Sequence, residues 1–253
     1  MAISANSGNP PGAHTEPTEV AVRVIGKDSK FIGTEMGGMR ITLRDAHTGE
    51  FLATGVTVGG TGDTKRIMQP QGGRRARLAD DTAAKFTATL DLGEPRLIEA
   101  EAYGPLAQLQ AAHRVLSTQW VVPGRSLAGG DGWVLELPGF VVDVLAPPAH
   151  VRLPSGSREI ELQATVTMMC GCPIEPGGVW DAEHYELKAL LKRDGAAVGV
   201  VDLAYAGEIS RFAARLPLDA PGVYEALVYA YDPANGNTGL DRTTFILPPE
   251  QPG

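Results

Sequence analysis

Both cysteines of the 253-residue chain stand in one short run, Met168-Met169-Cys170-Gly171-Cys172-Pro173. On an extended backbone residues two apart point the same way, so Cys170 and Cys172 project side by side. Three chemistries are open to such a pair. Two thiolates, joined by the thioether of Met168 or Met169 and the imidazole of His184, make a soft site that favours Cu(I) or zinc. A disulfide across Gly171, held away from ideal geometry, makes a readily reduced bridge. Alternatively both are small buried hydrophobes near the end of a core strand. The segment that follows, Pro173 to His184, concentrates further potential ligands. His184 also has a plain reading, since its outward parity next to Tyr185 suits a solvent-facing side chain.

Other groupings have simpler explanations. Met36 and Met39 offer two thioethers, yet Met39 fits the core end of a strand. Asp232, Asn235, Asn237 and Asp241 are oxygen ligands that calcium would accept, and they are equally ordinary turn chemistry. Trp120, Trp133 and Trp180 would stack on sugars if exposed, whereas tryptophan is more often mostly buried. Gly59-Gly60-Thr61-Gly62 reads as a loop between strands, with no helical periodicity after it. The chain has no Gly-Lys-Ser/Thr phosphate loop, no His-Glu-x-x-His and no Gly-x-Ser-x-Gly elbow. Its five histidines are scattered and suggest no Ser/His/Asp triad.

The elements that must position these residues are strands. Glycine (31) and proline (19) are abundant, which suits short strands joined by turns. Hydrophobic (43%) and charged (21%) fractions are those of a folded protein. The formal net charge of −8 argues against a nucleic-acid partner. No apolar run approaches the length of a membrane span. Residues 1–17, rich in Ser, Asn, Gly, Pro and Thr, read as a flexible tail. They carry no signal peptide, so the chain is either cytosolic or an exported protein without its leader.

Alternation predicts strands over 18–25, with Val20, Val22 and Val24 on one face, and over 39–45, with Met39, Ile41 and Leu43 inward. Asp45–Glu50 turns the chain into 51–57, a hairpin. Residues 72–81 read as an exposed loop. Strands follow at 85–90, 97–102, 118–122 and 133–137, with 108–116 either a short helix or an irregular strand. Pro138-Gly139 is the expected boundary, giving domains over 18–138 and 139–253. Beyond it come a proline-broken edge strand at 140–148 and the cleanest pattern of all, 159–170. In that pattern Ile160, Leu162, Ala164, Val166, Met168 and Cys170 share one parity. Further strands fall at 185–191, 198–205 and 209–216, and a last hairpin joins 223–231 to 243–247. The expected fold is all-β, two tandem antiparallel β-sandwich domains.

The run Pro221-Gly222-Val223-Tyr224-Glu225-Ala226-Leu227-Val228-Tyr229-Ala230-Tyr231-Asp232, with Gly236-Asn237-Thr238-Gly239, resembles the last hairpin of bacterial immunoglobulin-like modules. The resemblance covers about residues 140–248 and implies an immunoglobulin-like second domain. It places Tyr224 as a tyrosine corner, ring in the core and hydroxyl on the preceding backbone. Ile41–Leu52 resembles the opening hairpin of transthyretin-like or carboxypeptidase-regulatory sandwiches. Such modules bind, space or present many things, so fold alone does not assign function. Since bacterial modules of this kind are mostly exported, the resemblance implies a periplasmic or extracellular location.

The sequence thus describes a non-catalytic binding or accessory protein with a protein partner. In the implied topology its 170–184 loop faces the first domain and packs against loops such as 59–64. The expected metal ligands are Cys170, Cys172, Met168, Met169 and His184, and the expected cofactor is a copper or zinc ion. Two alternatives stand beside this: a structural or interaction subunit with incidental cysteines, and a metal- or thiol-dependent enzyme at the junction.

Overall fold

Alternating side chains become pleated strands almost wherever the pattern called for them. The computed structural model describes residues 15–250, which form sixteen strands, one five-residue α-helix (α1, Thr64–Met68) and three short 3-10 turns. The fold is all-β. No helix among the described residues is long and apolar enough to cross a membrane.

Seven strands build the first sandwich: β1 (Glu16–Gly26), β2 (Arg40–Asp45), β3 (Phe51–Val56), β4 (Phe86–Leu92), β5 (Arg96–Gly104), β6 (His113–Val121) and β7 (Trp133–Leu137). Sheet β4-β1-β7 faces sheet β3-β2-β5-β6. Val20, Val22 and Val24 meet Ile41, Leu43, Ile98 and Leu135 in the core between them. The expected tail ends early. Residues 1–14 lie outside the described residues, whereas Glu16 and Pro17 already belong to β1, opposite Leu92 and Asp91.

Strand β1 is central, and its outer face is covered too: Ala21 and Arg23 are buried. Ala21 lies against Leu127 and Gly132, and Arg23 is covered through Asp131 and the residues it holds, so the 72–81 stretch is exposed only in part. The Asp131 carboxylate accepts the Leu78 and Ala79 amides at 3.0 and 2.8 Å. Arg23 donates to the Asp131 carbonyl at 3.0 Å. Ala79 is thereby sealed against Phe31, Ile67 and Ala83. Residues 108–112 form turns that lead into β6 and make no helix.

The second sandwich contains β8 (Phe140–Ala146), β9 (Val151–Arg152), β10 (Glu159–Met168), β11 (Glu186–Arg193), β12 (Ala196–Asp202), β13 (Ala204–Tyr205), β14 (Arg211–Pro217), β15 (Gly222–Tyr231) and β16 (Thr238–Leu247). One sheet runs β8-β10-β14-β13 and the other β9-β16-β15-β11-β12. Matched in chain order, these are the two sheets of an immunoglobulin-type sandwich. The proline-broken β8 lies at an edge, where the missing N–H groups cost nothing. Tyr224 is the tyrosine corner: it is buried, its hydroxyl donates to the Ala220 carbonyl at 2.6 Å, and its ring stacks on Phe245. Between these strands pairing is antiparallel except that β1–β7 and β9–β16 run parallel.

The link between the sandwiches is clamped by a side chain. Buried Asn237, in the last hairpin, accepts the Gly139 amide at 2.5 Å and donates to the Gly139 carbonyl at 3.0 Å. Gly139 has φ +126°, and a β-carbon there would meet the Met169 methyl at 2.6 Å. Only glycine suits that place. The other oxygen ligands proposed for calcium are likewise taken up internally. Asp232, Asn235 and Asp241 accept the amides of Ala234, Asn237 and Val144.

Candidate functional site

Strand β10 ends between the two cores. Neighbours on a strand point to opposite faces, so Met168 packs into the second core and Met169 into the first. A tight turn follows. The Gly171 amide donates to the Met168 carbonyl at 2.8 Å, and the Met168 amide to the Cys172 carbonyl at 3.0 Å. Gly171 adopts φ +76°, and a β-carbon would lie 2.6 Å from the Met36 sulfur of the first sandwich. Cys170 and Cys172 are joined by a disulfide.

A bridge spanning two positions closes a very small loop. Loop-closure entropy assigns it about 1.6 kcal/mol of stabilisation, against about 3 kcal/mol for a fifteen-residue loop. The turn's own backbone hydrogen bonds hold the same residues.

The bridge lines a cavity of about 330 Å³ at the junction, together with Lys30, Glu35, Thr61 and Thr64 of the first sandwich and Val179 and Trp180 of the second. The 170–184 loop and the 59–64 loop thus border one cavity. Trp180 crosses the junction directly: its ring is buried in the second core and its indole N–H donates to the Asp28 carbonyl at 2.8 Å. A further cavity of about 500 Å³ shares Val179 and Trp180 and is lined by Asp28, Met68, His184, Tyr185 and Asp232.

The five expected metal ligands do not converge. The two sulfurs of the cysteines are bonded to each other and present no thiolate. Met168 and Met169 are sealed in separate cores. His184 ends a 3-10 turn capped by Asp181, is exposed, and lines the other cavity. No group of three or more His, Cys, Asp or Glu is gathered to hold a metal among the described residues. Gly171 backs onto the Met36 sulfur, which the spacing of the sequence does not connect to it. Of the tryptophans, Trp133 and Trp180 are buried, but Trp120 is exposed beside His47. Lys30, Glu35 and Asp28 went unnoticed in the sequence because each is distant along the chain and carries no local signature. The Gly59–Gly62 loop precedes the single turn of α1, capped by Asp63, so one helical turn stands where no helix was expected.

The second cavity is electrostatically uneven. Partial burial holds the Asp28 carboxyl above its usual range, the Asp232 carboxylate adds to this, and Lys27 opposes it. Tyr185 is pushed up to about 12, first by burial and then by Asp28, Asp232 and Asp181. A carboxyl whose folded pKa is raised favours the folded state below the ordinary value near about 4. That contribution is lost as pH rises through the raised value. Asp28→Asn, which keeps the φ of +53° within reach of the new residue, therefore raises the melting temperature at neutral pH. The gain shrinks toward zero at about pH 3. Thermal melts at the two pH values check this, and an unchanged or lower midpoint at neutral pH refutes it.

No family model matches this sequence, and no curated protein matches it. Among solved structures it is similar to an engineered protein (17% identity, TM-score 0.32, covering 50% of this chain and 24% of that one). It is also similar to the fibronectin(III)-like modules of Clostridium thermocellum CbhA (13%, TM-score 0.30, 85% and 82%). A third likeness is to the ICAM-5 D1–D4 ectodomain fragment (12%, TM-score 0.24, 82% and 45%). At these scores neither fold nor chemistry is argued from them; the immunoglobulin-type assignment stands on strand order and Tyr224.

Proposed function

We propose that this chain is a non-catalytic binding or accessory protein that engages a protein partner at the junction of its two sandwiches. The observation that carries the reading is the pair of adjoining cavities lined from both sides and meeting at Val179, an apolar side chain left 65% exposed. Concave sites between packed units are where ligands and partners are commonly held. An exposed apolar residue between charged rims, Lys30 and Glu35 on one side and Asp28 and His184 on the other, suits a protein surface better than a small polar metabolite. Bacterial immunoglobulin-like modules of the kind the sequence resembles are mostly exported, so we place the protein outside the cytosol. A copper or zinc ion has no part in this reading, because the bridged cysteines offer no thiolate and the remaining three ligands point elsewhere.

A photo-crosslinking residue at Val179 or Glu35, in the producing cells, is expected to capture one partner species. The same residue at Phe51 or Val198, exposed on strands that line neither cavity, is expected to capture none. Crosslinks confined to the distant positions would refute the junction as the binding surface.

A further inference from the structure

We infer that the Cys170–Cys172 bridge is a reversible redox site that exchanges with a protein dithiol, the cysteines serving as electron acceptor and donor. This deepens the binding reading above by naming the partner's chemistry. Three observations carry it. First, the bridge is a poor staple. It spans two positions in sequence, so it removes little freedom from the unfolded chain. The turn it crosses is closed independently by the Gly171 and Met168 amides and by the bridge pairing of Thr167 with Pro173. Second, both cysteines line the junction cavity although most of each residue is buried, 2% exposed for Cys170 and 6% for Cys172. Attack therefore comes from the cavity side and falls on the more exposed Cys172. Third, the cavity holds an ammonium. Lys30 lines it, donates to the Thr64 hydroxyl at 3.1 Å, and makes no ion pair among the described residues. A cation lining the same cavity as the sulfurs favours the thiolate form that leaves or attacks, and it offsets the Glu35 carboxylate on the same wall.

The exchange balances as follows. A thiolate of the partner attacks Cys172 Sγ, the Cys170–Cys172 bond breaks, and Cys170 leaves as a thiolate. The partner's second thiol, after losing its proton, attacks its own sulfur in the mixed disulfide and releases Cys172 as a thiolate. The partner loses two electrons and two protons and becomes a disulfide, while the cysteines take up the electrons and are protonated by solvent. The reverse sequence reoxidises the pair.

The full chain is equilibrated in buffers of varied reduced-to-oxidised glutathione ratio, quenched with acid and labelled with a maleimide that shifts its gel mobility. The expected result is half-reduction within the glutathione range with the circular dichroism of the folded chain retained. A bridge that resists reduced glutathione until guanidinium unfolds the chain overturns the proposal. Lys30→Gln is expected to slow reduction by about ten-fold. Equal rates overturn the role given to Lys30. Cys170→Ser, which leaves Cys172 free, is expected to take up glutathione from its oxidised form about ten-fold faster than Cys172→Ser. The opposite order overturns the assignment of Cys172 as the attacked sulfur. Crosslinking at Val179 with an inert bridge would overturn this proposal and leave the binding surface standing. An exchangeable bridge without junction crosslinks would overturn the binding surface and support the exchange.

Discussion

Replacing Asn237 by alanine lowers stability by about 2–6 kcal/mol, since it strands two buried backbone groups at about 1–3 kcal/mol each. Both belong to Gly139, whose amide and carbonyl have no partner but the Asn237 side chain among their hydrogen bonds in the structure. The site is buried, with Asn237 1% exposed, so solvent does not replace the lost bonds at low cost. The turn itself persists, because the Asp232 amide still donates to the carbonyl of residue 237. The effect is therefore specific to the link between the sandwiches. Denaturant melts measure the loss, and faster hydrogen exchange at the Gly139 amide locates it. A variant with an unchanged midpoint and a still-protected Gly139 amide would show that the clamp contributes nothing.

Trp180→Ala costs about 3–5 kcal/mol, the range for deleting a buried large aromatic. The ring is 5% exposed and packs in the second core. Its indole N–H is also the hydrogen bond that ties that core to the first sandwich through Asp28. Trp180→Phe separates the two contributions. It keeps most of the packing and loses the junction bond, for about 1 kcal/mol. If phenylalanine destabilises as much as alanine, the hydrogen bond and not the packing dominates, and the assignment of Trp180 to the core is wrong. Under the proposed function, Trp180→Ala also abolishes crosslinking at Val179 because the wall shared by both cavities is gone.

Much of the architecture was legible because a strand's period of two writes burial directly into the order of residues. Val20, Val22 and Val24, Ile41 and Leu43, and Leu162, Ala164, Val166 and Met168 face the cores as their parity requires. Tyr224 announced the immunoglobulin-type sandwich through a motif within one hairpin. Parity falls silent on two-sided burial: β1 carries Arg23 under a second cover that only Asp131, more than a hundred residues away, puts in place. The candidate site shows the same division. The expected strand through Cys170 stops at Met168, and it is the turn at Gly171, φ +76°, that brings Cys170 and Cys172 together; the disulfide is one of the three chemistries left open. The ligand set drawn around them from nearby residues fails, because nearness in sequence placed Met168 and Met169 on opposite faces and His184 in another cavity.

By itself the amino-acid order determined an all-β chain, most strand positions, the inward face of each and the final hairpin, and it left the state of the two thiols open. These are consequences of local geometry, acting over a few residues. Only the folded chain decided that the strands flanking Gly93-Glu94-Pro95 belong to different sheets, that β1 runs parallel to β7, and that Lys30, Met36 and Trp180 gather around the bridge. Alternation dictates which side of a strand is buried and leaves open which distant strand lies beside it. That choice is made by the collective packing of two cores.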